Sequence, residues 1–335
     1  MARSTVGHIL GGRSHLFRPE TRELVLRTAE QLGWKRPADW RSVSRGRFGC
    51  AVLLKSVMQD RSCIGTNFLV ALEEHLLERN MHVAMARLPD ATLASETALR
   101  RLLKQWSADG MFISYTLRPP PRLHALIGRL DLPAVWLNSR AVRDAVHPDD
   151  LGAGRTAAEL LLAAGHRRIA YVGYPFPLTM PEEHMHYSMQ DRPAGARAAV
   201  LACGAAWLHV SGSDSASVAT WRERLARPDR ETAVIAYNPL QILPVLHAAA
   251  LLGLRVPQDL SLITFHDETV WMLDQEIASL ALPEARSAEI AVAHLCARIG
   301  GAPSRALEAL PFTVRSTLTI GPPPPRVKGR PTARR

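Results

Sequence analysis

From residue 49 onward, short apolar runs alternate with longer stretches whose apolar positions recur every three or four residues. The runs predict strands over Cys50–Leu54, His82–Ala86, Gly110–Ser114, Ala134–Leu137, Arg168–Val172, Thr232–Ala236 and Leu260–Phe265. The periodic stretches predict helices over Leu69–Arg79, Ser95–Trp106, Gly152–Ala164, Pro193–Ala202 and Leu240–Leu252. Strand–helix alternation with short turns implies parallel sheets covered on both faces. About ten such units are too many for one sheet, so the fold class is α/β with two doubly wound lobes and a crevice between them. Before residue 49 the pattern is different. One short helix runs from Ser4 to Leu10 and stops at Gly11-Gly12. A second begins at Pro19, with Glu20 in its first turn and an apolar stripe of Leu24, Val25, Ala29 and Leu32, and Gly33 ends it. Neither is long enough to be stable alone.

Charge sharpens this division. Residues 1–48 hold ten basic against four acidic side chains, and residues 322–335 hold five against none; the 335-residue chain is +10, so residues 49–321 are nearly neutral at −1. Three segments follow: a basic head (1–48), a neutral body (49–321) and a Pro- and Arg-rich tail (322–335) that cannot bury a core. A basic head on a neutral body suggests a polyanion binder at one end and a separate task in the middle. No apolar run reaches membrane-spanning length, and the four cysteines are scattered without a C-x-x-C pair. The expectation is a cytoplasmic protein with reduced thiols, no cofactor, no metal and no membrane partner.

The head carries a specific resemblance. Thr5-Val6-Gly7-His8-Ile9-Leu10-Gly11-Gly12, Pro19-Glu20-Thr21-Arg22-Glu23-Leu24-Val25 and Glu30-Gln31-Leu32-Gly33-Trp34 resemble the DNA-binding segment of the lactose/galactose-repressor family. In the body, Gly165-His166-Arg167-Arg168-Ile169-Ala170-Tyr171-Val172-Gly173, Val256-Pro257-Gln258-Asp259-Leu260-Ser261-Leu262-Ile263-Thr264-Phe265 and Val314-Arg315-Ser316-Thr317 are similar to further segments of that family, in the same order. The resemblance implies a helix-turn-helix head whose recognition helix is the first one here, on a periplasmic-binding-protein-like body. Arg3, Ser4 and His8 then face base edges, and Thr5, Arg13 and Arg22 hold phosphates. Arg41-Ser42-Val43 keeps the family's hinge pattern, with Val43 in place of the minor-groove Leu, whereas Pro37, Asp39 and Trp40 depart from it. The family has a helix before the recognition helix. The head is therefore expected to be truncated here, with Val6, Ile9 and Leu10 partly exposed and the natural start upstream, as a GUG codon misread at Met1 would explain.

The same resemblance nominates four effector contacts: Asn138 after the Ala134–Leu137 strand, Arg192 in an R-x-x-G segment ending at Gly195, Asn238 where the family has A-N-D, and His266 where it has an Asp. An Arg fork can clamp hydroxyl or carboxylate oxygens. Asn138 can equally bond its own turn, and Asn238-Pro239 can equally start a helix. Asp149-Asp150 reads as a helix cap. His266 and Pro239 replace two family acids, and the loop Met58–Asn67 lacks the family's N-P-F-F, so the expectation moves away from an ordinary pentose or hexose toward an acidic, phosphorylated or unusual sugar. Trp136, Trp207 and Trp221 read as packing, while Trp271 is placed to reach the cleft mouth. His184 and His186 beside Glu182 and Glu183 read as a rim loop ahead of a metal site. Lys328-Gly329-Arg330-Pro331 resembles a minor-groove hook in four residues only, and a non-specific tether suits it better.

No phosphate-cradling loop, H-E-x-x-H or G-x-S-x-G motif occurs, so no enzyme class is supported. The reading is a regulator that binds double-stranded operator DNA as a homodimer, under control of a small sugar-like effector. The alternative is a solute sensor that no longer binds DNA specifically.

Overall fold

The computed structural model describes residues 3–10, 14–31, 48–56, 64–89, 95, 97, 108–115, 121–141, 143–175 and 185–325. In the head, α1 (Arg3–Leu10) packs against α2 (Pro19–Gln31), with a 3-10 turn at Ser14–Leu16 between them. Ile9 is fully buried, and Val25 and Ala29, one turn apart, are buried on α2. This corrects two expectations. Ile9 is not partly exposed, although Val6 and Leu10 are half-buried as expected. Leu24 is exposed because the inward face of α2 centres on Val25 and Ala29, about 100° around the helix.

Lobe one is a parallel sheet of β1 (Cys50–Ser56), β2 (His82–Leu88), β3 (Gly110–Ser114), β4 (Ala134–Leu137) and β5 (Ala145–Val146), in the order β2-β1-β3-β4-β5. β3 and β4 are buried at every position, which is why they read as apolar runs, with Ser114 at the end of β3 the one polar residue. On one face lie α3 (Thr66–Leu77) and α9 (Glu284–Ile299); on the other lies α4 (Pro121–Leu130).

Lobe two has seven strands. β6 (Arg168–Val172), β7 (Ala206–Val210), β8 (Ala233–Ala236), β9 (Ser261–Phe265) and β11 (Gln275–Ala281) are parallel, while β10 (Val270–Met272) and β12 (Thr313–Ser316) run antiparallel to β11. α5 (Asp150–Ala163) and α6 (Ser188–Ala202) cover one face; α7 (Val218–Leu225) and α8 (Pro239–Leu251) cover the other.

Because α9 belongs to lobe one while β11 and β12 flank it in sequence, the chain crosses between lobes three times: after Val146, after Ala281 and before Thr313. Two crossings are tied together. Leu310 N donates to His147 O at 3.0 Å, and Asp149 N donates to Leu310 O at 2.7 Å. The crossings therefore form a laced hinge rather than loose linkers.

The predicted body elements are present, Gly110–Ser114, Ala134–Leu137 and Arg168–Val172 with the predicted ends and the others with shifted ones, apart from Ser95–Trp106, which lies almost entirely outside the described residues. So do Arg13, the hinge run 37–43 and the tail beyond residue 325.

Candidate functional site

The carboxyl ends of both sheets face a common cleft, where parallel sheets place ligands. Tyr115 and Asn138 follow β3 and β4, while Tyr174, Tyr237 and His266 follow β6, β8 and β9. At its floor Arg192, only 6% exposed, donates from Nε to Asp150 Oδ1 at 2.5 Å and from a terminal nitrogen to the Tyr237 carbonyl at 2.8 Å. The guanidinium carbon stands 4.7 Å from the Tyr237 ring centroid, 4.8 Å from that of Phe265 and 5.4 Å from that of Phe312. Burial weakens the Arg192 cation, but Asp150 outweighs it and holds the pKa above the ordinary arginine value.

Two glycines allow this geometry. A Cβ at Gly195 would meet the Leu151 carbonyl oxygen at 2.0 Å, and one at Gly154 would meet that of Arg192 at 2.0 Å. α5 and α6 thus touch backbone to backbone, and that contact sets Arg192 over Asp150. The R-x-x-G spacing has a packing cause.

A directed hydrogen-bond chain crosses the cleft. Burial lowers the His186 pKa, so the ring is neutral, and its Nε2–H donates to the Asn138 carbonyl at 3.2 Å. Nδ1 must then accept from the Ser188 hydroxyl at 2.7 Å, and Ser188 Oγ accepts from the Tyr237 hydroxyl at 2.7 Å. In parallel, the Tyr187 hydroxyl donates to Asn138 Oδ1 at 2.8 Å. Burial raises both tyrosine pKa values, so both phenols stay protonated donors. Asn138 has φ 49°, a left-handed conformation that Asn tolerates better than most residues. Arg140 pairs with Asp191 and lies 4.9 Å over the Tyr187 ring. Asn138 and Arg140 come from lobe one, the others from lobe two.

The opposite rim is also bridged. Asn67 at the start of α3 donates its amide to Asp267 Oδ2 at 3.1 Å and to Glu268 Oε1 at 3.2 Å. His266 is half-buried at this rim and lies 3.1 Å from Asp267. Glu284 opens α9, and burial, with repulsion from Asp267, pushes its pKa up to about 7.

Of the four nominated contacts, Asn138, Arg192 and His266 therefore reach the cleft, Arg192 with its charge already matched. Asn238 caps α8, accepting from Leu240 N at 2.9 Å, so the cap already holds its Oδ1 while its NH2 group can still donate. Asp149 caps α5, as the sequence suggests, whereas its neighbour Asp150 is the partner of Arg192. Sequence reasoning placed Asp150 in a helix cap and His186 in a rim loop without finding their partners, and it missed Tyr187, Ser188 and Tyr237. Tyr237 could have been found by its place at the end of a parallel strand; His186 to Ser188 follow a loop with no periodic signal. Trp136 and Trp221 are buried and Trp207 is half-buried, while Trp271 is 66% exposed on the outer strand β10. No cluster of metal-ligating residues occurs among the described residues.

In the head, Ser4 and His8 are exposed on α1, and Thr5 and Arg22 are half-buried. Arg3 opens α1, whereas Arg13, Arg41 and Val43 lie outside the described residues. No described helix is long and apolar enough to cross a membrane.

Two parallel-sheet lobes, laced by three crossings and bridged by side chains across a cleft, define a periplasmic-binding-protein-like sensor body. Residues 158–318 match the family model of the periplasmic binding protein-like domain. The chain is 30% identical to the HTH-type transcriptional regulator AglR of Rhizobium meliloti (strain 1021), over 97% of this chain and 93% of that one. A LacI-family regulator structure from Rhizobium etli superposes with a TM-score of 0.67 at 19% identity, covering 82% of this chain and all of that one. The cellobiose complex of the transcriptional regulator CelR superposes at 0.60 with 22% identity, covering 95% of this chain and 99% of that one. The chain belongs to the LacI family of DNA-binding transcriptional regulators.

Proposed function

We propose that this regulator is a repressor whose affinity for operator DNA is set by a small, uncharged sugar held between its lobes. The observation that carries this is the bridged cleft: Asn138 of lobe one is gripped by His186 and Tyr187 of lobe two, so a hydroxyl-bearing ligand can replace or extend contacts that fix lobe closure. Asn138, Arg192, Asn238 and His266 are the proposed effector contacts, with Tyr187 and Tyr237 supplying aromatic faces and hydroxyls. Both cleft arginines already face carboxylates, and the far rim carries Asp267, Glu268 and Glu284. This balance favours a neutral sugar over the acidic and phosphorylated ones. The cellobiose bound to the related fold of CelR agrees with that choice.

Arg3, Ser4, Thr5, His8, Arg13, Arg22, Arg41 and Val43 are proposed to meet DNA. Two heads are needed for a two-fold operator. Leu240, Leu243 and Leu251 form an exposed apolar stripe on α8, and Trp271 in β10 and Leu273 just after it are exposed; such surface supports a homodimer. The protein acts in the cytoplasm and catalyses nothing.

Thermal denaturation with neutral mono- and disaccharides, sugar acids and sugar phosphates tests the effector class. A ligand at one hundred times its Kd adds about 2.7 kcal/mol, or several degrees of Tm. We expect a neutral sugar to raise Tm, and Asn138→Ala to lose most of that rise. If no sugar moves Tm, or only the anionic ones do, the effector assignment fails.

A further inference from the structure

We infer that Asp109 is the positioning residue that fixes the DNA-binding head to the effector body, holding the first described residues after the head in a backbone anion site. The head's connection enters lobe one at Phe48-Gly49-Cys50. Asp109, 1% exposed, accepts from Phe48 N at 3.2 and 3.1 Å with its two carboxylate oxygens, and from Cys50 N at 3.3 Å. Gly49 between them has φ +61°, and a Cβ there would stand 2.9 Å from the Asn80 carbonyl oxygen. Amides flanking a left-handed residue converge on one point and favour an anion there. Here that anion is the protein's own carboxylate.

The junction is fastened on every side. Asp109 N donates back to Cys50 O at 2.8 Å, and His82 N donates to Gly49 O at 2.8 Å. β1 and β3 begin immediately after this knot and end at the cleft, where Tyr115 follows β3. Five residues of strand span ~17 Å. A displacement of lobe one is thus delivered to the start of the connection without slack. Removing the carboxylate takes a shared acceptor from the Phe48 and Cys50 amides and frees that start to turn independently.

This inference rests on the proposed effector control of DNA binding, and the test separates the two. Full-length wild type, Asp109→Asn, Asp109→Ala and Gly49→Ala are compared using a duplex selected by wild type from a random pool, with the neutral sugar that most raises wild-type Tm. Gly49→Ala strains the same knot from the backbone side and keeps the Asp109 carboxylate, which covers the case in which the Asp109 variants fold poorly. The inference expects amide exchange at Phe48 and Cys50 to accelerate at least tenfold. It also expects the ratio of duplex affinities without and with sugar to fall from tenfold or more toward one, while the sugar still raises Tm as in wild type. A merely structural role would lower Tm and leave that ratio intact, and this result overturns the inference. If no sugar moves wild-type Tm, the effector reading fails by itself. Asp109 is then judged on exchange and duplex affinity alone: wild-type values of both in the folded variants overturn its role, and tenfold changes sustain it.

Discussion

Arg192→Ala is expected to destabilise the body by about 3–5 kcal/mol in urea unfolding, because it strands the carboxylate of Asp150 in a site from which water is excluded. Asp150 is 2% exposed, and the guanidinium that balances it lies among three aromatic rings. The double variant Arg192→Met, Asp150→Leu removes both charges at once. It is expected to recover most of that loss, since a buried pair can be exchanged for apolar side chains at little net cost. It should not recover the sugar-induced rise in Tm, which needs the fork of donors beside Tyr237. A single-variant loss below about 1 kcal/mol would mean that the pair is solvated and that this description of the cleft floor is wrong.

Glu284→Gln is expected to stabilise the protein above neutral pH. Its folded pKa of about 7 lies above the ordinary 4.5, so the folded state holds this proton more tightly than the unfolded chain does. The contribution is present in full below pH 4.5 and is lost as pH rises through 7. The displacement corresponds to as much as about 3 kcal/mol, and partial contact with solvent reduces it to about 2. The variant should therefore exceed wild type by about 2 kcal/mol at pH 8 and match it at pH 4.5. His166, His186 and His209 slope the other way: burial lowers each below 6.5, so each destabilises the fold as pH falls through that value. Only the difference between variant and wild type isolates Glu284. A flat difference between pH 4.5 and 8 would show that this carboxyl is neither buried nor repelled by Asp267.

Much of the fold was legible because buried parallel strands are almost wholly apolar, as in β4 and, but for Ser114, in β3. What stayed hidden had physical reasons. β7, Ala206-Trp207-Leu208-His209-Val210, lies at a sheet edge and is half-exposed along most of its length, so no clean run appears. α9 buries Ala288, Ala291, Val292, Leu295 and Ile299, a stripe rich in alanine and weak in hydropathy. Its place in lobe one depends on a crossing that local sequence does not encode. At the site, resemblance located Arg192 and Asn138 but not their partners. Asp150 is one residue past a cap, and His186 to Ser188 owe their positions to the fold of lobe two. Asn238 shows the reverse: one side chain satisfies both a family pattern and a helix cap, and the hydrogen bond to Leu240 N decides what its oxygen does.

The most direct measurement is the affinity of the full chain for its selected duplex, taken at fixed salt without and with a saturating neutral sugar. A lobe-bridging effector that controls a DNA-binding head predicts a change of at least tenfold, with the reciprocal change in sugar affinity when duplex is present. Equal duplex affinity in the two conditions, with the sugar demonstrably bound, would contradict it.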